Sequence, residues 1–277
     1  MRVLIVGCGY IGQAVGEQLV QLGHQVWGMR RTPDSHRLLQ QLGIRPIAAD
    51  ITRPETLAPL TASYDWVVHC VSSSHGGAED YRRVYLDGSK NLLNWLTQAP
   101  PKKVVYTSST SVYGQSDGEW VDESSLTEPG TETGRILLQT ERLLLGVGAV
   151  VLRVAGIYGP GRGYRVKQFL AGQARIEGKG ERFLNMIHRE DVAGAVVAAL
   201  ERGAAGQVYN AVDDEPVSQR VFFQWLSDRS GRPLPQSVGE METGNRKRGV
   251  TNKQVSNRRL RSELGYAPKY PTFREGV

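Results

Sequence analysis

Cysteine is scarce in this sequence: 277 residues hold two, Cys8 and Cys70. Two thiols cannot build a disulfide framework and they suit a reducing compartment, so a cytoplasmic location is expected. Long apolar runs are missing as well, which excludes a membrane-spanning helix. The first residues enter a strand pattern directly, with no basic n-region and no cleavage site, so no secretory signal is expected. Histidine is thin. His24, His36, His69, His75 and His188 show no pairing at metal-ligand spacing, and no metal site is indicated. GxSxG spacing occurs in GQSDG (114–118), but in an expected loop rather than at a strand-to-helix elbow, and no P-loop sequence occurs. Acidic residues are outnumbered, 28 against 34 basic, giving a net charge of +6. That excess suits either nucleic acid or a phosphate-bearing ligand. The length is enough for one large α/β core, or for a core and a smaller lobe.

What the sequence does have begins at residues 2–12, RVLIVGCGYIG. A β-branched and aliphatic run breaks into Gly7, Gly9 and Gly12, and a helical pattern follows at once. Strand, glycine turn and helix start, in that order, make the phosphate-cradling turn of a dinucleotide-binding fold. Gly7 permits the tight turn, Gly9 leaves room for a pyrophosphate, and Gly12 lets the helix lie close on the sheet. Tyr10 and Ile11 complete the candidate cradle, at the positive end of the helix.

Further strands are expected at 24–29, 44–49, 66–71, 103–107 and 149–154. Helices are expected at 35–42, near 54–60, at 78–98 and at 131–145. Strict alternation with short connections implies a Rossmann α/β fold, a doubly wound parallel sheet covered on both faces. Beyond residue 155 the pattern loosens, with helices expected at 164–175 and 218–230, a strand and capped helix over 186–203, and a strand at 207–212. The division expected is a dinucleotide-binding domain at 1–154, onto which 186–212 packs back, and a smaller C-terminal substrate lobe at 155–277.

The choice of dinucleotide turns on the end of the second strand. An acid there, about twenty residues past the glycines, binds the ribose 2′-hydroxyl of NAD, whereas an arginine meets the 2′-phosphate of NADP. This chain has Arg30 and Arg31 and no carboxylate before Asp34. A guanidinium offers a bidentate fork to phosphate, so NADP is favoured and NAD is the alternative. Both arginines as solvated surface charge is the competing reading. Asp50 and Ile51, after the third strand, are placed to reach the adenine, and Cys70, Val71 and Ser72 to border the ribose.

Taken together, the stretches VLIVGCGYIG, VVHCVSS (67–73), VVYTSSTSVYG (104–114), LRVAGIYGPGR (152–162), NMIHREDVAGAV (185–196), VYNAVDDEPVS (208–218) and SNRRLRSELGY (256–266) resemble the short-chain dehydrogenase/reductase superfamily. The resemblance is to its extended, NAD-dependent epimerase/dehydratase-like form, and most of all to the atypical YeeZ-like branch. It covers nearly the whole chain and implies an oxidoreductase or epimerase-type activity. It also implies a substrate pocket bordered by the C-terminal tail, and homodimerisation through the helices at 78–98 and 131–145.

Departures from that family are as informative. Extended members carry a further glycine where this chain has Val6. Their catalytic Tyr-x-x-x-Lys pair falls here on Thr133 and Leu137, and no tyrosine of the chain has a lysine four residues later. A threonine hydroxyl is a far poorer proton shuttle than a phenol beside a lysine. Ser109 matches the family's substrate-binding serine or threonine; it either hydrogen-bonds a reacting oxygen or only caps the turn. Tyr85, where the family has a helix asparagine, either replaces the missing phenol, with Lys90 or water as helper, or is packing. The candidate catalytic residues are therefore Ser109, Tyr85 and Thr133. Tyr113 and His188 read as structural. The basic stretch 246–261 lacks interleaved aromatics, so nucleic acid is not the expected partner. An NADP-dependent enzyme on a small hydroxylated or nucleotide-linked substrate is one outcome; a catalytically silent NAD(P)-binding regulator is the other.

Overall fold

The computed structural model describes residues 1–61, 63–73, 76–239 and 251–277. Seven parallel strands form its centre: β1 (Arg2–Val6), β2 (Gln25–Arg30), β3 (Arg45–Ala48), β4 (Trp66–His69), β5 (Lys103–Ser109), β6 (Val150–Val154) and β7 (Val208–Ala211). Their spatial order is β7-β6-β5-β4-β1-β2-β3. The reversal beside β1, which lies between β2 and β4, is the switch point of a doubly wound sheet. The expected Rossmann fold is the one observed.

The sheet reads as near-continuous apolar runs because both its faces are covered. Along β1 the side chains alternate: Val3 and Ile5 join one core, Leu4 and Val6 the other, and all four are buried. The first core takes Val15 and Leu19 from α1 (Tyr10–Gln21), and Val192 and Val196 from a later helix, Arg189–Arg202. The second takes Leu92, Trp95 and Leu96 from the helical segment Gly88–Leu96. α2 (His36–Gln41) sits at the β3 edge; α3 runs from Ala78–Tyr81 through a π-helical turn, Arg82–Asp87, into Gly88–Leu96. α4 (Glu132–Leu145) starts on Thr131, whose hydroxyl accepts from Gly134 N.

The remaining helices are α5 (Tyr164–Leu170), α6 (Arg189–Arg202), α7 (Gln219–Ser230), α8 (Arg258–Leu264) and α9 (Phe273–Gly276). α5 stops five residues short of its expected end, at a turn where Gly172 takes φ +68°. The segment near 54–60 forms only a 3-10 turn, Pro54–Thr56, and β4 ends at His69, two residues early. The 208–211 segment pairs with β6 from Val208↔Val151 to Ala211↔Val154 and so extends the main sheet.

A third apolar cluster is separate from the sheet. Phe169, Phe222, Phe223 and Phe273 belong to it, with Leu184, Met186 and Leu226. All five phenylalanines of the chain lie beyond residue 160, so this region has its own aromatic core. Among the described residues, no helix is long and apolar enough to cross a membrane, and no group of His, Cys, Asp and Glu is placed to hold a metal ion. His75 and positions 246–250 of the basic stretch lie outside the described residues.

Candidate active site

The glycine turn follows directly from the sheet. Gly7 N and Cys8 N both donate to Met29 O, at 3.1 and 3.0 Å, which ties the turn to the end of β2. Gly7 takes φ +86°, and a Cβ there would lie 2.7 Å from the backbone of Val71. Gly12 is crowded too: a Cβ would come within 2.9 Å of Gly7 O and Ile5. Gly9 differs. A Cβ there would meet nothing closer than Gly7 O at 3.9 Å, so the chain itself does not require glycine at this point. A ligand lying against the backbone does. α1 begins at this residue with no side-chain cap and no acid in its first turn, leaving its positive end for an anion.

Around the turn lies a cleft of about 170 Å³. Gly7, Gly9, Tyr10 and Ile11 line it from one side, and Cys70, Val71 and Ser72 from the end of β4. Ser109 and Tyr85 line it as well. Nine residues singled out from the sequence thus share one cavity. Gly12, Arg30, Arg31, Asp50, Ile51 and Thr133 are not in its wall. Gly12 packs beneath the turn. Arg30 closes β2, half-buried, and Arg31 beside it is exposed. Neither guanidinium has a carboxylate partner among the described residues, and the nearest acid in sequence, Asp34, accepts from Thr32 Oγ1 at 2.8 Å. Asp50 Oδ1 accepts from Thr52 N and Oγ1, at 2.9 and 2.8 Å, while the Ile51 side chain is buried in the second core. Thr133 is buried beside Thr131, with 3.2 Å between the hydroxyl oxygens.

The Ser109 hydroxyl accepts from Ser111 N at 3.2 Å, capping the turn after β5. Among the described residues its proton has no acceptor, so capping and substrate contact are compatible. The Tyr85 phenol oxygen accepts from Ser73 N at 3.3 Å, and its ring packs on Tyr81 with 4.9 Å between centroids. Both tyrosines flank the start of the π-helical turn, and π-bulges are frequent at functional sites. Lys90 is not beside Tyr85. It pairs with Asp87 at 3.1 Å on an exposed surface.

Behind the serines is a buried polar network. Ser108 Oγ donates to Glu141 at 2.5 Å, and Glu141 pairs with Arg153 at 2.9 Å. Arg153 donates to the Tyr113 oxygen, which donates to Asn210, both at 2.9 Å. Burial raises the Tyr113 pKa despite the neighbouring Arg153 charge, which keeps this phenol neutral and structural. Burial likewise pushes the Cys8 thiol up to about 12 and the Cys70 thiol further, so neither is a nucleophile at neutral pH.

Sequence reasoning missed several cleft residues: Tyr81, Thr107 and Arg162 among them. Arg162 was legible only as part of the GPGR turn. In space its guanidinium stands 5.1 Å from the Tyr10 ring. Leu137, in the position of the family's lysine, presents an apolar side chain to the cleft.

An open glycine turn before an uncapped helix, at the switch point of a doubly wound sheet, defines a dinucleotide-binding protein of the Rossmann class. The model of the NAD dependent epimerase/dehydratase family matches residues 3–211, and the chain belongs to that family, which binds NAD(P). It is 28% identical to protein YeeZ of Escherichia coli K12 over 98% of this chain and 96% of that one. It is 26% identical to a 3-diazoavenalumate denitrifying reductase of a Streptomyces species, over 100% of this chain and 99% of that one. Among solved structures, a functionally unknown conserved protein from Silicibacter pomeroyi superposes with a TM-score of 0.81 at 28% identity, covering 99% and 96% of the two chains.

Proposed function

We propose that this chain is an NADP-dependent oxidoreductase or epimerase-type enzyme acting on a small hydroxylated or nucleotide-linked substrate without a Tyr-x-x-x-Lys pair. The observation that carries the reading is the open space at Gly9, set in the same cleft as Ser109 and Tyr85. Gly7, Gly9, Tyr10 and Ile11 would hold the pyrophosphate, Cys70, Val71 and Ser72 would border the ribose, and Asp50 and Ile51 the adenine. Arg30 and Arg31, with no carboxylate partner among the described residues, supply the cations that a 2′-phosphate needs and favour NADP over NAD. A nicotinamide dinucleotide supplies or accepts a hydride when bound.

The chain's own contribution is positioning and proton transfer. Ser109 donates its free proton to the substrate oxygen, stabilising charge that builds there. Tyr85 holds a phenolic proton at the same cleft. Thr133 acts at most through its neighbours, since its hydroxyl faces Thr131. Residues 1–154, with 186–212 packed back onto them, serve as the dinucleotide-binding domain, and the rest of 155–277 as the substrate lobe. The enzyme works in the cytoplasm, as a homodimer.

One observation favours the other reading, a silent regulator: Leu137 lines the cleft where the family has its lysine. A panel of carbonyl and sugar-nucleotide substrates with NADPH separates the two. Turnover that falls at least tenfold in both Ser109→Ala and Tyr85→Phe supports the enzyme; NADPH binding with no turnover on any substrate supports the regulator.

A further inference from the structure

Next to the dinucleotide cleft lies a second cavity of about 380 Å³, and the two share Ser109, Ala155 and Ile157. Much of its wall is apolar: Val166, Phe183, Leu184, Met186 and Phe222. Among the described residues, no Asp or Glu side chain lines it. Lys253 does, and it is only 5% exposed.

The surroundings of Lys253 are unusual for a lysine. Two of its ammonium hydrogens go to Tyr113 O, at 3.0 Å, and Thr251 Oγ1, at 2.9 Å. Among the described residues the third has no acceptor, and no carboxylate pairs with the group. Arg182, another cation of the same wall, is already held by Glu177 at 3.3 Å. Burying a cation without a counter-charge is costly, and burial lowers the Lys253 pKa to about 8, opposed weakly by Glu119. A second orphan is close by in the wall: Ser111 Oγ is buried with no hydrogen-bond partner. Lys253 and Ser111 thus offer two donors to a wall that is largely apolar on one side and also carries Arg165, Arg182 and Asn185.

We propose that this cavity takes a small molecule with an apolar body and a single carboxylate, the carboxylate being received by Lys253 and Ser111. One negative charge matches the one unpaired ammonium, and two oxygens match the two free donors. The proposal rests on the reading of this lobe as the substrate lobe. It narrows the substrate class to acids with an apolar chain, whose reacting carbon would lie toward Ser109.

Calorimetric titration of octanoate, octanol and octylamine at pH 7 tests it, with NADPH titrated into the same preparations. Wild type should bind octanoate at least tenfold more tightly than octanol or octylamine. Lys253→Met should erase that preference, and Ser111→Ala, which leaves the lysine's own bonds intact, should weaken octanoate at least threefold. Equal binding of octanol and octanoate by wild type, no binding of either, or an unchanged octanoate affinity in Lys253→Met overturns the proposal. A wild type that shows no octanoate preference yet binds NADPH rejects this subsite alone. Octanoate preference without NADPH binding rejects the dinucleotide reading alone.

Discussion

The Arg189 guanidinium lies 4.7 Å from the centre of the Tyr10 ring, while its Nε donates to the Tyr10 carbonyl at 2.8 Å. A residue at the start of α6 thus clamps the first residue of α1, 179 positions earlier in the chain. The Tyr10 hydroxyl reaches on to Pro160 O at 3.0 Å, in the loop that carries Arg162. Arg189→Ala should therefore loosen the glycine turn. The expected loss is about 1–3 kcal/mol of stability, from a charged hydrogen bond and a cation–π contact. Dinucleotide affinity should fall as well. Chemical denaturation and titration of the variant check both, and an Arg189→Lys variant should restore only part of the loss.

The glycines of the turn should separate stability from binding. Gly7→Ala forces a Cβ against Val71 at φ +86° and should cost about 2 kcal/mol or more. Gly9→Ala has room in the free protein, so its stability should stay within about 0.5 kcal/mol of wild type. Its dinucleotide affinity should nevertheless drop at least tenfold. Thermal unfolding, with and without dinucleotide, reads the two effects independently.

Glu141 and Arg153 are both almost fully buried. Glu141→Gln would leave the guanidinium charged and unpaired in the interior, at a cost of about 3–5 kcal/mol. The double variant Glu141→Gln/Arg153→Met removes the stranded charge and should recover part of that loss. Denaturation midpoints of the two variants settle the order.

Asp213 gives a pH dependence of definite sign. Burial raises its pKa to about 9, and Oδ2 has no hydrogen-bond partner. Between the ordinary carboxylate value of 3.8 and about 9, the unfolded chain releases this proton while the folded chain keeps it. This group therefore lowers stability as pH rises through that window. Asp213→Asn should match wild type near pH 4, become progressively more stable up to about pH 9, and hold a constant advantage above it. Melting temperatures of both proteins across pH 4–10 test the sign; a gap that narrows with pH contradicts it.

Much of the dinucleotide half was legible because its signals are local. The β1 run, the three glycines and the helix start follow one another in sequence, and period-two alternation in β1 directly sorts Val3 and Ile5 from Leu4 and Val6. The π-helical turn at Arg82–Asp87 was not legible, since one widened turn hardly disturbs a helical apolar pattern. Nothing local in the sequence marks Glu141 for burial; only the fold puts Arg153 beside it. Lys253 was hidden for a similar reason. It sits in a basic stretch whose ordinary reading is solvated charge, and nothing local says that its ammonium is buried against Tyr113.

Titration of NADPH and NADH into wild type and Arg30→Ala/Arg31→Ala tests the central claim most directly. The account predicts that wild type binds NADPH at least tenfold more tightly than NADH and that the double variant loses this preference while still binding NADH. Equal affinities in wild type, or no binding of either dinucleotide, would contradict it.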